Sequence, residues 1–374
     1  LYSQADLQRK IVEVADKANY YLDIPQTLTT LEYQCGMVHS LDKYSSFLSP
    51  NQFRDLYSQI EGNFVGLGIE LKIEPGQLKV VQVLDKSPAR EQGIVPGDSI
   101  LAVNGQSVEK LTGNVAANML RGKPGTTIQL TLQKSDRRQY SLTLSRKQID
   151  VPSVTDAKFL NKDRGIAYLR LPVFQKNTSE ELEKSMWELY HQGMKSLVLD
   201  LRGNPGGLLD ISIETADKFI ENGTIVATKG RSPGETFDYQ AHRIGTWRVP
   251  LVVLIDRNTA SASEIFAGAI KDHNRGWVIG EKSYGKGSVQ GIFPLTGMQS
   301  GLRLTTAKFY SPSGKAISNT GIAPGITVHT TYKPSTDGKE ILEQDPVILA
   351  AIRTLSQAQE RAQQQSGSVT SSLN

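Results

Sequence analysis

A serine and a lysine in two neighbouring segments could together carry out nucleophilic catalysis. Ser261 lies in residues 258–264 (NTASASE), and Lys286 follows 25 residues later in residues 284–290 (YGKGSVQ). A serine hydroxyl becomes an effective nucleophile when a neighbouring base takes its proton, and a neutral lysine amine can be that base. These residue types therefore predict acyl transfer, such as the hydrolysis of an amide bond.

Each member of this pair also has a simpler interpretation. Ser261 could do no more than cap a helix, because serine is a common first residue of helices. Residues 280–286 fit the first seven positions of a phosphate-binding loop, but that motif requires Ser or Thr at the eighth position, where this chain has Gly287. Because the missing hydroxyl would hold the magnesium ion, we reject nucleotide binding at this loop.

A lysine can act as a base near pH 7 only if its surroundings keep it neutral. The pKa of free lysine is about 10.4, so a depression of roughly 3 units, or about 4 kcal/mol, is required. Burial can supply this, whereas a surface position cannot. Gly285 and Gly287 on either side would let the backbone enter a packed site. Gln290 could orient the lysine amine without restoring its charge, or it could be a solvated polar residue.

Two strand-to-helix units are predicted to position these groups. Residues 249–255 form an apolar, β-branched run typical of a buried strand, and a helix is predicted to begin near Ala260. This places Ser261 at the positive end of a helix, where a developing oxyanion is stabilised. Residues 196–201 predict a second buried strand, followed by residues 202–207 (RGNPGG). The Gly-Gly pair could offer N–H groups to an oxyanion, or it could form an ordinary tight turn.

These three segments resemble the signature segments of the carboxyl-terminal processing proteases, also called tail-specific proteases. The segments are residues 200–207 (DLRGNPGG), 261–265 (SASEI) and 285–290 (GKGSVQ). The resemblance implies that Ser261 is the nucleophile, Lys286 the general base and Gln290 the residue that positions the lysine. It implies that the backbone amides of Gly207 and Ala262 form the oxyanion hole, with Gly206 as a neighbouring candidate.

The region from about residue 60 to residue 146 has short strands and turns that resemble a PDZ domain. The residues that carry this resemblance are 87–89 (SPA), 93–94 (GI), 97–100 (GDSI) and 103–105 (VNG). The backbone amides of Gly66, Leu67, Gly68 and Ile69 could bind a peptide carboxylate, and residues 69–73 could pair with the extended peptide. Residues 115–120 would form the other wall of the groove.

Arg121 follows this groove helix and is our candidate for a residue that reports peptide binding to the catalytic core. It could equally be a solvated arginine at a helix end. The PDZ region itself could be a module that only packs and binds no tail.

Composition excludes other classes of protein. The chain has 374 residues with a net charge of +4, which does not imply binding to nucleic acid. Its apolar runs are too short to span a bilayer. The histidines show no spacing typical of metal ligands, so we expect neither a metal nor a cofactor.

We expect an α/β (α+β multidomain) protein. The predicted parts are a helical N-terminal region (1–59), a PDZ domain (60–147), a catalytic core (148–335) and a C-terminal helix with a disordered tail (336–374). By resemblance, the core would adopt a ClpP/crotonase-like fold. The Gln- and Ser-rich composition predicts disorder beyond Arg361.

The expected function is a serine endopeptidase that recognises protein C-terminal tails through its PDZ domain. Two alternatives stay open: a tail-binding module with a silent or gated hydrolase core, and another Ser/Lys acyl hydrolase. The resemblance implies protein substrates with free C-terminal tails, membrane-associated substrates among them. The helical N-terminal region has an apolar stripe that could pack on the core or on a second copy of the chain, which would make a homo-oligomer. The resemblance also implies a location outside the cytosol, in the periplasm, cell envelope or thylakoid lumen.

Overall fold

The computed structural model describes residues 3–242, 244–295, 297, 299–329 and 344–371. The chain divides into two compact units, one made of Leu1–Ile60 and Ser153–Asn374 and the other of Glu61–Pro152. Within the described part of the chain, none of the helices combines the length and the apolar character needed to cross a membrane.

The helices and strands follow one another along both units. The helices are α1 (Gln4–Leu22), α2 (Gln26–His39), α3 (Pro50–Glu61), α4 (Pro88–Glu91), α5 (Gly113–Met119), α6 (Thr178–His191), α7 (Leu209–Asp217), α8 (Ala262–Asp272) and α9 (Pro346–Ser371). The strands are β1 (Ser46–Leu48), β2 (Asn63–Gly66), β3 (Ile69–Glu74), β4 (Gln77–Val83), β5 (Ser99–Val103), β6 (Gln106–Ser107), β7 (Thr127–Gln133), β8 (Gln139–Ser145), β9 (Lys147–Asp150), β10 (Thr155–Asn161), β11 (Ile166–Arg170), β12 (Ser196–Asp200), β13 (Thr224–Gly230), β14 (Phe237–Gln240), β15 (Leu251–Ile255), β16 (Trp277–Gly280), β17 (Ser288–Leu295), β18 (Ser300–Tyr310) and β19 (Ile326–Thr327).

A largely parallel sheet forms the centre of the first unit. Among the described residues its strand order is β10–β11–β12–β15–β16–β19, and only β10 runs antiparallel to its neighbour. Strands β12 and β15 are buried along their whole length, as in sheets covered on both faces. Side chains of α6, α7 and α8 pack on one face, and those of α9 pack on the other. The predicted α/β class is confirmed.

A second, antiparallel sheet in the same unit carries the lysine loop. Its order is β1–β18–β13–β14, and β17 also pairs with β18. Strand β1 corrects the prediction that residues 1–59 are helical, because residues 46–48 pair with β18 at Arg303 and its neighbours. The side chain of Asp42 accepts a hydrogen bond from the N–H of Ser45 at 3.0 Å. This turn after α2 directs the next residues along β18.

The second unit is built from short antiparallel strands around its own core. Its sheet has the order β3–β4–β5–β7–β8, with β6 paired to β5, and β2 pairs with β9. Fully buried side chains such as Ile94, Ile100 and Leu130 form the core of this unit, and Ala116 of α5 packs against it. Alternation of buried and exposed residues along β7 fits a sheet with one solvated face.

Helix α9 corrects the prediction of disorder beyond Arg361, because the helix continues to Ser371. Its first half is held in the core by apolar side chains such as Ile348 and Leu355. The Ala, Gln, Glu and Arg residues that follow are good helix formers, so a docked helix can continue through them. Residues 336–343 and 372–374 of the predicted tail lie outside the described residues.

Candidate active site

Ser261 lies in a sharp turn between β15 and α8. Its backbone has φ 56° and ψ −119°, a left-handed conformation that is strained for a residue with a side chain. Such strand-to-helix turns expose a nucleophile at the end of a sheet in α/β hydrolases. Residues 262–270 of α8 are all buried, while Ser261 stays partly exposed. A rigid, buried helix therefore holds Ser261 at its N-terminus, in the position that the sequence predicts.

The carboxylate of Glu264 joins the serine turn to the lysine loop. Glu264 is fully buried. Its Oε2 accepts hydrogen bonds from the backbone N–H groups of Ser261 and Lys286, each at 2.8 Å. Its Oε1 accepts from the N–H of Gly285 at 2.7 Å and from the hydroxyl of Ser283 at 2.6 Å. One side chain thus fixes the backbone of Ser261 relative to that of Lys286.

The lysine loop packs too tightly for side chains at its glycines. Gly285 has φ 90°, and a Cβ at Gly287 would lie 2.3 Å from the backbone nitrogen of Ser318. Lys286 itself is half-buried, and its Nζ lies 5.4 Å from the centre of the Tyr44 ring.

The surroundings of Lys286 favour its neutral form. Burial lowers the pKa of Lys286, the positive charge of Arg303 lowers it further, and the charge of Glu264 opposes both. A low-dielectric position disfavours the ammonium form, and a second cation nearby adds to this effect. The direction of the pKa change is the one that a lysine base requires.

Gly206 and Gly207 form the third wall of the site. Their φ values are 107° and 139°. A Cβ at Gly206 would lie 2.7 Å from the Cβ of Ser261, and a Cβ at Gly207 would lie 2.0 Å from the carbonyl oxygen of Phe174. Only glycine therefore brings this backbone so close to Ser261 and Phe174.

The hydrogen bonds of this segment show which of the candidate oxyanion donors are already occupied and which are not. The N–H of Gly206 donates to Oδ1 of Asn204 at 2.8 Å, and the amide of Asn204 in turn donates to the carbonyl of Leu171 at 2.7 Å. Within the described residues, the N–H groups of Gly207 and Ala262 make no hydrogen bond. Two backbone donors beside Ser261 are therefore available to a ligand, and Gly206 is not one of them.

A buried ion network anchors the strand that leads into this segment. Arg202 donates to both oxygens of Asp200, with its Nη2 at 2.6 Å, and it also pairs with Asp345 at 2.5 Å. The hydroxyl of Tyr168 donates to Asp200 at 2.9 Å. These contacts tie the end of β12 to the start of α9.

One cavity brings the predicted catalytic residues together. It has a volume of about 460 Å³. The predicted residues in its wall are Gly206, Gly207, Ser261, Ala262, Lys286 and Gln290. Apolar side chains line much of the remainder, among them Val173, Phe174, Leu209, Ile265 and Ile292. The side-chain nitrogen of Gln290 is buried and makes no hydrogen bond to the described residues.

The predicted peptide-binding residues lie in the second unit, between β2 and β3. The carbonyls of Leu67 and Gly68 accept hydrogen bonds from the N–H groups of Ala89 and Leu84, at 3.0 and 2.9 Å. A Cβ at Gly68, which has φ 75°, would lie 2.2 Å from the Cβ of Ser87. The loop therefore has a defined conformation that leads into β3.

The edge of the predicted groove is formed by β3 and α5, which contact each other. Gly66 is the last residue of β2, and Ile69 begins β3. The groove helix α5 is Gly113–Met119, close to the predicted range. Arg121 follows it and is exposed, with its N–H donating to the carbonyl of Asn118 at 3.2 Å.

Sequence reasoning missed two residues of the site, Glu264 and Arg303. Glu264 follows Ser261 by three residues, and this spacing is the signature of a capping box, which could have marked it as a contact of the Ser261 backbone. No local signal marks Arg303, because only the pairing of β17 with β18 brings it to the cavity.

Comparison with known proteins identifies the class. Residues 165–328 match the sequence model of Peptidase family S41, and residues 65–144 match that of a PDZ domain. The carboxy-terminal-processing protease of Bartonella bacilliformis is 38% identical over 329 residues, covering 86% of this chain and 74% of that protein. The carboxyl-terminal-processing protease of Picosynechococcus sp. is 37% identical over 291 residues, covering 77% and 70%.

One solved structure agrees in fold. An S41 protease from Bacteroides fragilis superimposes with a TM-score of 0.53 at 16% identity, covering 85% of this chain and 87% of that one. A photosystem II D1 C-terminal processing protease gives 0.49 at 28% identity, covering 81% and 82%. The chain belongs to the carboxyl-terminal processing proteases of peptidase family S41, and it is a serine-type peptidase with a PDZ domain.

Proposed function

We propose that this peptidase cleaves proteins near their C-terminal ends, with Ser261 as nucleophile and Lys286 as general base. The observation that carries this proposal is the shared hydrogen bonding to Glu264, which holds the backbones of Ser261 and Lys286 together at one cavity. A nucleophile and a base must act from fixed positions, and a buried carboxylate between two rigid segments supplies them.

The reaction proceeds by acyl transfer. Oγ of Ser261 attacks the substrate carbonyl carbon while Nζ of Lys286 takes the hydroxyl proton. The N–H groups of Gly207 and Ala262 stabilise the oxyanion, and both are available because they make no hydrogen bond to the described residues. When the C–N bond breaks, the ammonium of Lys286 gives its proton to the leaving amine. Water then attacks the acyl-enzyme, with Lys286 again taking and returning a proton.

Gln290 positions the lysine in this mechanism. Its amide lies in the wall of the same cavity, and its nitrogen has no hydrogen bond to the described residues. An amide oxygen can accept a hydrogen bond from the lysine amine without adding a negative charge that would raise the pKa. Replacement of Gln290 by Ala should lower kcat with little change in KM. Unchanged turnover would show that Gln290 is only a polar wall residue.

The direct test is substitution of the two reacting residues. Ser261→Ala and Lys286→Ala should each reduce proteolysis by roughly 10⁴-fold or more, and the double variant should lose little further, because the residues act as a unit. Lys286→Arg should be as inactive as Lys286→Ala, because arginine cannot become neutral. Lys282→Ala is the matched control, since Lys282 is an exposed lysine of the same segment.

Other outcomes would favour the alternatives. Full activity of Ser261→Ala, or activity that EDTA removes and a metal restores, would contradict the Ser/Lys mechanism. A purified wild-type protein that binds tails but cleaves none would indicate a binding module with a silent or gated core. Rapid acylation by small amides, with no cleavage of tailed proteins, would indicate a different Ser/Lys acyl hydrolase.

We also propose that the second unit, with boundaries near residues 60 and 147, binds the free C-terminal carboxylate of the substrate. The loop of Gly66, Leu67, Gly68 and Ile69 would supply backbone amides, and β3 would pair with the tail. A substrate with an amidated C-terminus should therefore be cleaved more slowly than the same substrate with a free carboxylate. Equal cleavage of the two would contradict tail recognition.

Arg121 would report tail binding to the catalytic unit. Arg121→Ala should then lower the turnover of tailed substrates more than it lowers their binding. Lys123→Ala, which changes another exposed cation two residues further along the chain, should leave both unchanged. If Arg121→Ala lowers tail binding and turnover by the same factor, Arg121 contributes to binding only and not to communication with the catalytic unit.

By similarity to the family, we propose a location outside the cytosol, in the periplasm, cell envelope or thylakoid lumen, with membrane-associated proteins among the substrates. We also propose that the N-terminal helices contact a second copy of the chain. Exposed apolar side chains on α1 and α2, such as Val12, Leu28 and Met37, support this. Fractionation and sedimentation of the full chain, with and without residues 1–40, test the two proposals.

A further inference from the structure

Arg303 brings a second positive charge to the cavity that holds Lys286. It lies on β18, where it pairs with Ile292 of β17 and with Ser46 of β1. Its side chain lines the same cavity as Ser261, Lys286 and Gln290. The strand pairings on both sides fix the backbone at this position.

No carboxylate in the described part of the chain pairs directly with the guanidinium of Arg303. Within the described residues, Arg303 forms no ion pair within 4.0 Å, unlike Arg202 in the same unit, which pairs with Asp200 and Asp345. Its Nε is buried and makes no hydrogen bond to the described residues. Because no carboxylate of the described residues pairs with it, the positive charge of this half-buried arginine acts on neighbouring charges.

Other charged groups also lie around Lys286, and a negative charge among them acts against that of Arg303. Glu264 of α8 faces the lysine loop, but its carboxylate accepts four hydrogen bonds, from three backbone N–H groups and a serine hydroxyl. Tyr44 presents its ring to Lys286, and the Nζ of Lys43 lies 4.7 Å from the centre of the same ring. Asp210 of α7 also lines the cavity.

We propose that Arg303 is a positioning residue, that is, one that acts on the reaction only through Lys286. Its positive charge keeps the amine of Lys286 neutral before the reaction. This inference rests on the proposed role of Lys286 as base. Repulsion between two cations that share a poorly solvated cavity disfavours the protonated lysine. The charge of Arg303 is the second cause, after burial, of the lowered pKa of Lys286.

The same charge assists the second half of the reaction. Once Lys286 has taken the proton of Ser261, the resulting ammonium lies in the field of Arg303 and is a stronger acid than an isolated lysine. It therefore gives its proton more readily to the leaving amine, which must be protonated as the C–N bond breaks. Arg303 takes part in no bond change itself.

The test is the pH dependence of kcat/KM for variants of Arg303 on one tailed substrate. In Arg303→Met, the rising limb of the profile should move to higher pH, so that kcat/KM at pH 7 falls by roughly three- to tenfold. At alkaline pH, where Lys286 is neutral in both proteins, the variant should recover most of the wild-type value, short only of what Arg303 contributes to protonation of the leaving amine. Arg303→Lys keeps the charge and should keep the wild-type profile.

Lys308→Met is the matched control, because it removes an exposed cation from the same strand and should not move the limb. If Arg303→Met does not fold, as judged by its thermal unfolding, Arg303→Gln replaces it in the comparison with Arg303→Lys. A uniform loss at every pH, or a raised KM with an unmoved limb, would overturn the proposal and make Arg303 a structural or substrate-binding residue.

The pH dependence of labelling by a fluorophosphonate separates this inference from the proposed function. The reaction requires an activated Ser261 but no peptide tail. If the wild type is not labelled, or is labelled without a rising limb, the Ser/Lys assignment fails. If the wild type shows the limb and Arg303→Met leaves it unmoved, only the role of Arg303 fails.

Discussion

Each of the two units contains a buried charged side chain that gathers several hydrogen bonds from or to the main chain. In the catalytic unit, Glu264 accepts from three backbone N–H groups and one hydroxyl. In the PDZ unit, Arg146 is 6% exposed and donates to the carbonyls of Met119, Leu120 and Thr127 and to the hydroxyl of Thr126. The first gathers donors around a negative charge, and the second gathers acceptors around a positive one.

The difference lies in what each charge connects. Glu264 links the two segments that carry the proposed reacting side chains, so an error in its position displaces Ser261 relative to Lys286. Arg146 binds the carbonyls at the end of the groove helix α5, where a cation also interacts well with the helix dipole. The same physical device would therefore set the geometry of the proposed catalytic pair in one unit and the position of a wall of the proposed groove in the other.

Among the substitutions that test this comparison, Glu264→Gln should have the largest effect. The amide nitrogen of Gln would face N–H donors, leaving one or two of them without an acceptor, each at a cost of about 1–3 kcal/mol. We expect a loss of kcat of roughly 10²-fold or more, because misplacement of reacting groups by about 1 Å has effects of this size. Activity on a short peptide and thermal unfolding measure the two consequences.

Glu264→Asp serves as the companion variant. It keeps the charge but shortens the side chain, so it should also reduce kcat if the distance between the two segments matters. Full activity in either variant would show that Glu264 does not set the geometry of Ser261 and Lys286.

A smaller effect is expected from Arg146→Met in the PDZ unit. Burial lowers the pKa of Arg146, but its hydrogen bonds to carbonyls hold the charge in place. Without them the end of α5 should loosen, and the affinity for a free tail should fall by about tenfold, or about 1.4 kcal/mol. Fluorescence anisotropy with a tail peptide measures this.

Arg138→Met is the control for this variant, because it removes an exposed arginine of the same unit. If the affinity of Arg146→Met for the tail is unchanged, and hydrogen exchange shows that α5 is intact, then the hydrogen bonds of Arg146 contribute to folding and not to binding.

The parts of the site that the sequence predicts are local in the chain. Ser261 follows its strand and precedes its helix directly, and Lys286 is flanked by its own glycines, so the pattern around each residue suffices. Glu264 is also local to Ser261, but its bonds to Gly285 and Lys286 depend on how two loops meet in space. The periodicity and composition of the sequence contain no information on this contact between the two loops.

The parts that the sequence does not predict depend on pairing between distant strands. The position of Arg303 depends on the β17–β18 register, which is shifted by an irregularity between Val289 and Gln290. Strand β1 has three residues, too few for a periodic pattern, and it forms because β18 offers an edge. The extent of α9 depends on docking of its first half, which overrides a composition typical of disorder.

The smallest expected effect is on the free energy of unfolding, which is lowered because the folded chain partly buries the charged form of Lys286. Because its pKa is lower in the folded chain than in the unfolded one, the unfolded chain binds more protons between those two pKa values, and stability rises with pH across that window. Below the folded pKa the full cost is present. Lys286→Met should therefore stabilise the inactive protein near pH 7, by on the order of 1 kcal/mol. The gain should shrink as the pH rises towards the ordinary lysine value, and urea unfolding at several pH values measures it.

The control for this prediction is Lys282→Met, which removes an exposed lysine from the same segment and should show no such trend. A gain that stays constant with pH would mean that Met only packs better there, and that Lys286 imposes no electrostatic cost on the fold.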